Sequence, residues 1–228
     1  MKMKHLLLIK TIEAQFYFNP FNLKNKSFFD NIQGRIKALY YRANERQAYA
    51  FMAITEIKLL IDDCIDHLES EYFLLKKKFK KRMKNLPVLL IPTLEKFAVT
   101  IQNPLDVKLI QCFEQFEKIM TLILTAKQYD LFSEYNEFYR IRNTIRKKLA
   151  TLFTQLLSIH MDEIPRITLQ QIMFNEEPYQ EICKYLGEID FESLYNALRS
   201  NTTPALPPME FNQIAQQLTQ KILNQSVI

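Results

Sequence analysis

Glycine is nearly absent from these 228 residues: only Gly34 and Gly187 occur, and there is no tryptophan. Backbone with positive φ, needed at tight turns and phosphate-cradling loops, is cheap only for glycine. Two glycines cannot build a P-loop, a dinucleotide fingerprint or a nucleophile elbow, and none of those patterns is written in the chain. The same scarcity disfavours β-rich and α/β architectures and predicts helices joined by simple connections. Cysteine is scarce as well. Cys64, Cys112 and Cys183 are isolated from one another, with no Cys-x-x-Cys spacing, so buried free thiols are expected in place of a disulfide framework or a zinc site. The three histidines, His5, His67 and His160, lie far apart, and no metal, cofactor or catalytic residue is expected. Long apolar runs are also missing, so no membrane span is expected. The opening MKMKHLLLIK places only a short apolar stretch before Lys10, too short for a signal peptide, and a cytoplasmic location is expected.

What is present is charge, unevenly spread. Residues 1–160 hold 26 basic and 16 acidic residues, whereas residues 161–228 hold 4 and 9. A basic body and an acidic tail follow, with a polyanion as the partner expected for the body. Residues 161–228 are read as a tail packed on a body of residues 1–160, not as an independent domain.

Hydrophobic periodicity supplies the elements. Residues 8–18 alternate with period two, Ile12, Ala14, Phe16 and Phe18 against Thr11, Glu13, Gln15 and Tyr17, which predicts a strand ending at Asn19-Pro20. Ser27 with Asp30 opens a helix running to about Tyr41. From about Glu45 to Met83, Ile54, Ile57, Ile61, Cys64, Leu68, Tyr72, Leu75 and Phe79 mark one long seam. Pro87 and Pro92 bracket an extended VLLI. Asn103-Pro104 starts a second long helix, and Ser133 is read as the cap of a third, whose seam is Phe138, Ile141, Ile145, Leu149, Leu152 and Leu156. Short helical patches follow near 168–174, 178–186 and 190–199, then a proline-rich stretch at 202–209 and a polar helix from 210 to 224. The fold expected is mainly α: an elongated antiparallel bundle of long helices, with an N-terminal β-strand and a short-helix, Pro-rich C-terminal tail.

Two features carry function. The run Lys76, Lys77, Lys78, Lys80, Lys81, Arg82 and Lys84 exceeds what a helix terminus needs to complement its dipole, and suits a nucleic acid or an acidic surface; a solvated helix end is the plainer reading. A second basic set, Arg140, Arg142, Arg146, Lys147 and Lys148, spreads over more than one side of its helix. The N-terminal strand offers the other feature. Paired between two chains it would form a ribbon that enters the major groove, with Thr11, Glu13 and Gln15 towards base edges and Lys10 nearby. Paired with VLLI it would be a small edge sheet. Asp62, Asp63, Asp66 and Glu69, with His67 nearby, fall off the buried seam and are expected to face solvent.

Three stretches are each similar to a stretch of one known family. NPLDVKLIQCFEQFEKIMTLILTAKQYDLF at 103–132 has the Asn-Pro start and the Leu124-Thr125-Ala126-Lys127 ending. YLGEIDFESLYNALRSNTTPALPP ends at Pro207 and Pro208, and YAFMAITEIKLLIDDCIDHL begins the long helix. Over roughly residues 45–210 the chain resembles a family of integrating-conjugative-element proteins that includes the AcaB-type transcriptional activators of conjugative plasmids. The resemblance implies a transcriptional regulator, an activator, of a mobile conjugative element. The basic body and the N-terminal strand are compatible with a homodimer on double-stranded DNA, and with no catalytic site to assemble the expectation is a non-enzymatic protein. The lysine run at 76–84 is not part of the family pattern. The alternative is an adaptor of the transfer machinery that binds protein through its long helices or acidic tail.

Overall fold

The computed structural model describes residues 3–19, 26–84, 91–134 and 136–225. Along the chain run β1 (Met3–Ile9), α1 (Ile12–Phe18), α2 (Phe28–Asn44), α3 (Ala48–Met83), β2 (Glu95–Ile101), α4 (Pro104–Gln128) and α5 (Glu137–Ser158). The shorter α6 (Leu169–Met173), α7 (Glu177–Leu186) and α8 (Phe191–Arg199) follow, and then α9 (Pro208–Gln225). The fold is mainly α. Its starts are those the side chains specify. Asn103 and Asp106 exchange bonds in a capping box with Pro104 in the first turn. Asp30 accepts from the Ser27 backbone and hydroxyl, and returns its own N–H to that hydroxyl. Gly187 closes α7 at φ 77°, a backbone angle that other residues adopt only with strain.

The N-terminal segment differs from the period-two reading. Strand geometry stops at Ile9, and residues 12–18 are helical. Thr11 caps that helix by accepting from the Ala14 N–H. The apolar residues at 12, 14, 16 and 18 are two i, i+4 pairs: Ala14 and Phe18 point inward, Ile12 and Phe16 outward. A seven-residue window fits both periods, and the cap decides between them. β1 pairs antiparallel with β2, from Met3↔Ile101 to Ile9↔Glu95, in the same chain. The strand that pairs with β1 is therefore Glu95–Ile101; of VLLI, residues 88–90 lie outside the described residues. Ser133 is not the cap of α5 either. Asn136 holds that position without a side-chain bond, and the Ser133 N–H donates to Glu137.

The chain forms two compact units. Unit 1 comprises Met1–Gln33 and Leu59–Ile159; unit 2 comprises Gly34–Lys58 and His160–Ile228. This division differs from the one read from charge, because residues 34–58 belong with the C-terminal segment. Composition reports what a segment shows to solvent and not what it packs against.

In unit 1, α5 runs antiparallel to α3 and α4: Lys148 meets Asp63 while Glu137 meets Lys78. α3 and α4 run in the same direction, with Lys108 on Asp62 and Lys118 over Tyr72, since the chain returns through the connection that includes β2. An aromatic cluster joins the elements. Phe18 lies 4.8 Å from Phe29, from Phe97 and from Phe113, and Tyr17 lies 4.4 Å from Phe153. The β1–α1 corner is held from α4. The buried carboxylate of Glu117 accepts from the Lys10 N–H at 3.1 Å, the Thr11 N–H at 3.2 Å and the Thr11 hydroxyl at 2.8 Å. Burial nevertheless raises the Glu117 pKa, since three neutral donors replace bulk water only in part.

Unit 2 is organised around Arg42. Its buried guanidinium donates to the carbonyls of Met161, Ile164 and Pro165, and its Nε to Gln47. The Ala48 N–H donates to the Ile167 carbonyl and the Leu169 N–H to that of Arg46, so the start of α3 is tied to the approach to α6. Arg46, at φ 64°, grips both carboxylate oxygens of Glu210 on α9.

Removing the Glu117 carboxylate by Glu117→Ala should destabilise the protein by roughly 2–3 kcal/mol in urea unfolding, because buried donors lose their acceptor. Glu117→Gln keeps an acceptor oxygen and should cost clearly less. The folded pKa lies above the unfolded one, so the wild-type advantage over the Gln variant is largest at low pH. That advantage should shrink as pH rises through the folded value. A difference independent of pH would show that the carboxyl has the same pKa in the folded and the unfolded protein.

Candidate nucleic-acid interface

From Tyr72 to Lys84 the chain holds seven cations and no acid. Leu75 and Phe79 are the inward residues of this stretch of α3, with Phe79 5.2 Å from the Phe132 ring. Lys76, Lys77, Lys78, Lys80, Lys81 and Arg82 are all exposed, and Lys84 follows in the turn, also exposed.

Their surroundings separate them into two groups. Lys78 pairs with Glu137, and this hydrogen bond holds the Glu137 carboxyl below its usual pKa. Arg82 donates to the Leu131 carbonyl at 3.0 Å, and the Lys76 ammonium lies 5.6 Å from the centre of the Tyr72 ring. Among the described residues, no ion-pair partner faces Lys77, Lys80, Lys81 or Lys84. Lys77, Lys80 and Lys81 fall within about 100° of the helix circumference. Phe73 and Leu74, 64% and 62% exposed, precede them on that side of the helix.

The second basic set is divided too. Arg142 pairs with Glu13, and Lys148 donates to Asp63 at 2.6 Å, which holds the Asp63 carboxyl down. Arg140, Arg146 and Lys147 are exposed. Of the acidic cluster, Asp62 and Asp63 are engaged by Lys108 and Lys148, while Asp66 is exposed. Across the units, 21 basic and 14 acidic residues lie in unit 1, and 9 and 11 in unit 2.

The N-terminal residues do not join this surface as a ribbon. Thr11 is 2% exposed and spends its hydroxyl on Glu117. The Gln15 amide donates to Glu95 at 2.8 Å. Lys10 is half-buried, its backbone bound to Glu117. A ribbon needs side chains on an unpaired strand face, and residues 12–18 are a helix.

Two contacts were invisible in the sequence. Cys64 and Cys112, 48 residues apart, meet with their sulfurs at 3.6 Å, and the Cys112 thiol donates to Cys64. That bond lowers the Cys64 pKa and, with burial, raises that of Cys112. The other is a groove between α1 and α5, in which Ile12 and Phe16 face Arg142, Arg146 and Lys147. It exists because residues 12–18 are helical, which sets Ile12 and Phe16 on one face. Among the described residues no three His, Cys, Asp or Glu side chains are placed to hold a metal ion, and no helix is long and apolar enough to cross a membrane.

The chain matches no protein-family model and no curated protein. Among solved structures it is similar to AcaB from uropathogenic E. coli, at 11% identity and a TM-score of 0.49, over 96% of this chain and 98% of that one. At that score and identity, the family resemblance read from the sequence stays an expectation.

Changing Thr11 to Val should cost roughly 1–3 kcal/mol of stability, since Glu117 loses one donor and the helix its cap. Duplex-DNA affinity of the folded Thr11→Val and Gln15→Ala proteins should equal that of wild type. A loss of affinity with unchanged melting would return both residues to the interface.

Proposed function

We propose that this chain is a non-enzymatic protein that binds duplex DNA through the C-terminal half of α3, and that it serves as a transcriptional activator of a mobile conjugative element. The observation that carries the DNA reading is the set Lys77, Lys80, Lys81 and Lys84, exposed and without ion-pair partners among the described residues. A rise of 1.5 Å per residue spreads them over about 10 Å, the axial length of roughly three phosphates of one strand. Each phosphate neutralised releases condensed counterions, which is where affinity for a polyanion comes from. The regulatory role rests on the sequence resemblance over 45–210.

One observation favours a second reading, a protein-binding adaptor of the transfer machinery. Phe73 and Leu74 are large, exposed and beside the lysines. A phosphate backbone has no use for an apolar pair, whereas an acidic protein surface does.

The test is a gel shift over a salt series, with the element's own promoter fragments and with random duplex. The wild-type log–log slope should fall in magnitude by roughly 3 to 4 when Lys77, Lys80, Lys81 and Lys84 are all changed to Ala, at about 0.9 per cation. Lys78→Ala and Arg82→Ala should change it less, since those side chains are engaged within the protein. Absence of duplex binding in dilute buffer, or an unchanged slope in the quadruple variant, overturns the reading. Loss of binding in Phe73→Ser/Leu74→Ser with the slope retained would instead favour the adaptor.

A further inference from the structure

The α1–α5 groove has two unlike walls. On α1, Ile12 and Phe16 stand one turn apart and are 74% and 59% exposed, large apolar side chains left mostly open to solvent. On α5, Arg142 and Arg146 stand one turn apart, and so do Asn143 and Lys147. The cleft between them has a volume of about 510 Å³. Glu13 neutralises Arg142, and among the described residues no ion-pair partner faces Arg146 or Lys147, so the basic wall keeps two net charges. From Arg142 to Ala150 the wall is about 12 Å long, two turns of helix.

We infer that this groove is a docking site for an acidic amphipathic helix of a partner protein, whose apolar residues at i and i+4 lie on Ile12 and Phe16 while its acidic flank meets Arg146 and Lys147. Charge complementarity selects the acidic flank. The one-turn spacing of both walls selects a helix, because side chains recur on one helix face at that interval. Nucleic acid fits less well. The wall opposite the cations is aliphatic at Ile12 and offers one exposed ring, Phe16, where successive bases need successive stacking planes. The inference does not depend on the DNA reading, whose lysines lie on α3.

The experiment uses the full chain and two fluorescein-labelled 14-residue peptides of equal composition. One carries Leu at i, i+3, i+4 and i+7 with Glu flanking them; in the other the same residues are shuffled so that no helical face is apolar. Fluorescence anisotropy should show saturable binding of the periodic peptide, at least tenfold tighter than the shuffled one. Arg146→Glu/Lys147→Glu should weaken it at least tenfold, and Phe16→Ser at least fivefold. Because Phe16 also packs 5.3 Å from Phe28, Ile12→Ser serves as the variant that leaves the folded core untouched, with an expected loss of at least threefold. Lys77→Ala/Lys81→Ala should leave peptide binding unchanged. The inference fails if the two peptides bind alike, if neither binds, or if Ile12→Ser and Phe16→Ser have no effect. It also fails if the Arg146/Lys147 reversal weakens duplex-DNA binding and spares the peptide.

Discussion

Burial of Leu75 and Phe79 decides where the charge of this protein goes. Each side chain removed from water contributes about 1.5–3 kcal/mol, and these are the fully inward residues of the last turns of α3. With that face committed to the core, the cations at 76–78 and 80–82 can only point outward. Their mutual repulsion is a cost: Lys76 and Lys80, Lys77 and Lys81, Lys78 and Arg82, and Lys80 and Lys84 are like-charged i, i+4 pairs, each unfavourable by roughly 0.2–0.5 kcal/mol. The helix dipole offsets part of it. Glu137 relieves it at Lys78 and the Leu131 carbonyl at Arg82. At Lys77, Lys80, Lys81 and Lys84 the described residues supply no acid, and a polyanion would relieve the remainder.

The long helices were legible because their seams are long. Ile54 to Phe79 repeats over many turns, and a wrong period cannot survive that length; Asn103-Pro104 marks its helix by cap chemistry alone. The failures lie where the window was short or the partner distant. Residues 12–18 satisfy both periodicities, and what excludes the strand is the Thr11 cap and the bond to Glu117, 106 residues away. β2 does alternate, with Phe97 and Val99 on one side and Lys96 and Ala98 on the other, but it follows two prolines that drew attention to VLLI. The grouping of residues 34–58 with the C-terminal segment rests on Arg42 reaching the carbonyls of Met161, Ile164 and Pro165. No local pattern announces a guanidinium with three distant carbonyl acceptors. For the candidate site, the charge of 76–84 was legible, but which cations are engaged was not, since Glu137 and Leu131 are more than forty residues downstream.

Four arginines of this chain are engaged within the fold. Arg42, Arg46, Arg82 and Arg142 each hold a carbonyl or carboxylate, and Arg42 and Arg46 do so with several donors at once. Their planar forks suit fixed geometry, so they bind the fold together. The unengaged cations on α3 are all lysines, compact charges on flexible stems. That choice bears on what the surface recognises. A flexible ammonium follows phosphates wherever they lie and reads no base edge, which takes a bidentate side chain held in place. On the DNA reading proposed above, the α3 surface would supply affinity and position, strongly dependent on salt and indifferent to sequence. Under that proposal, promoter choice would have to come from other side chains, from the deformability of the DNA, or from a partner protein docked elsewhere on the chain.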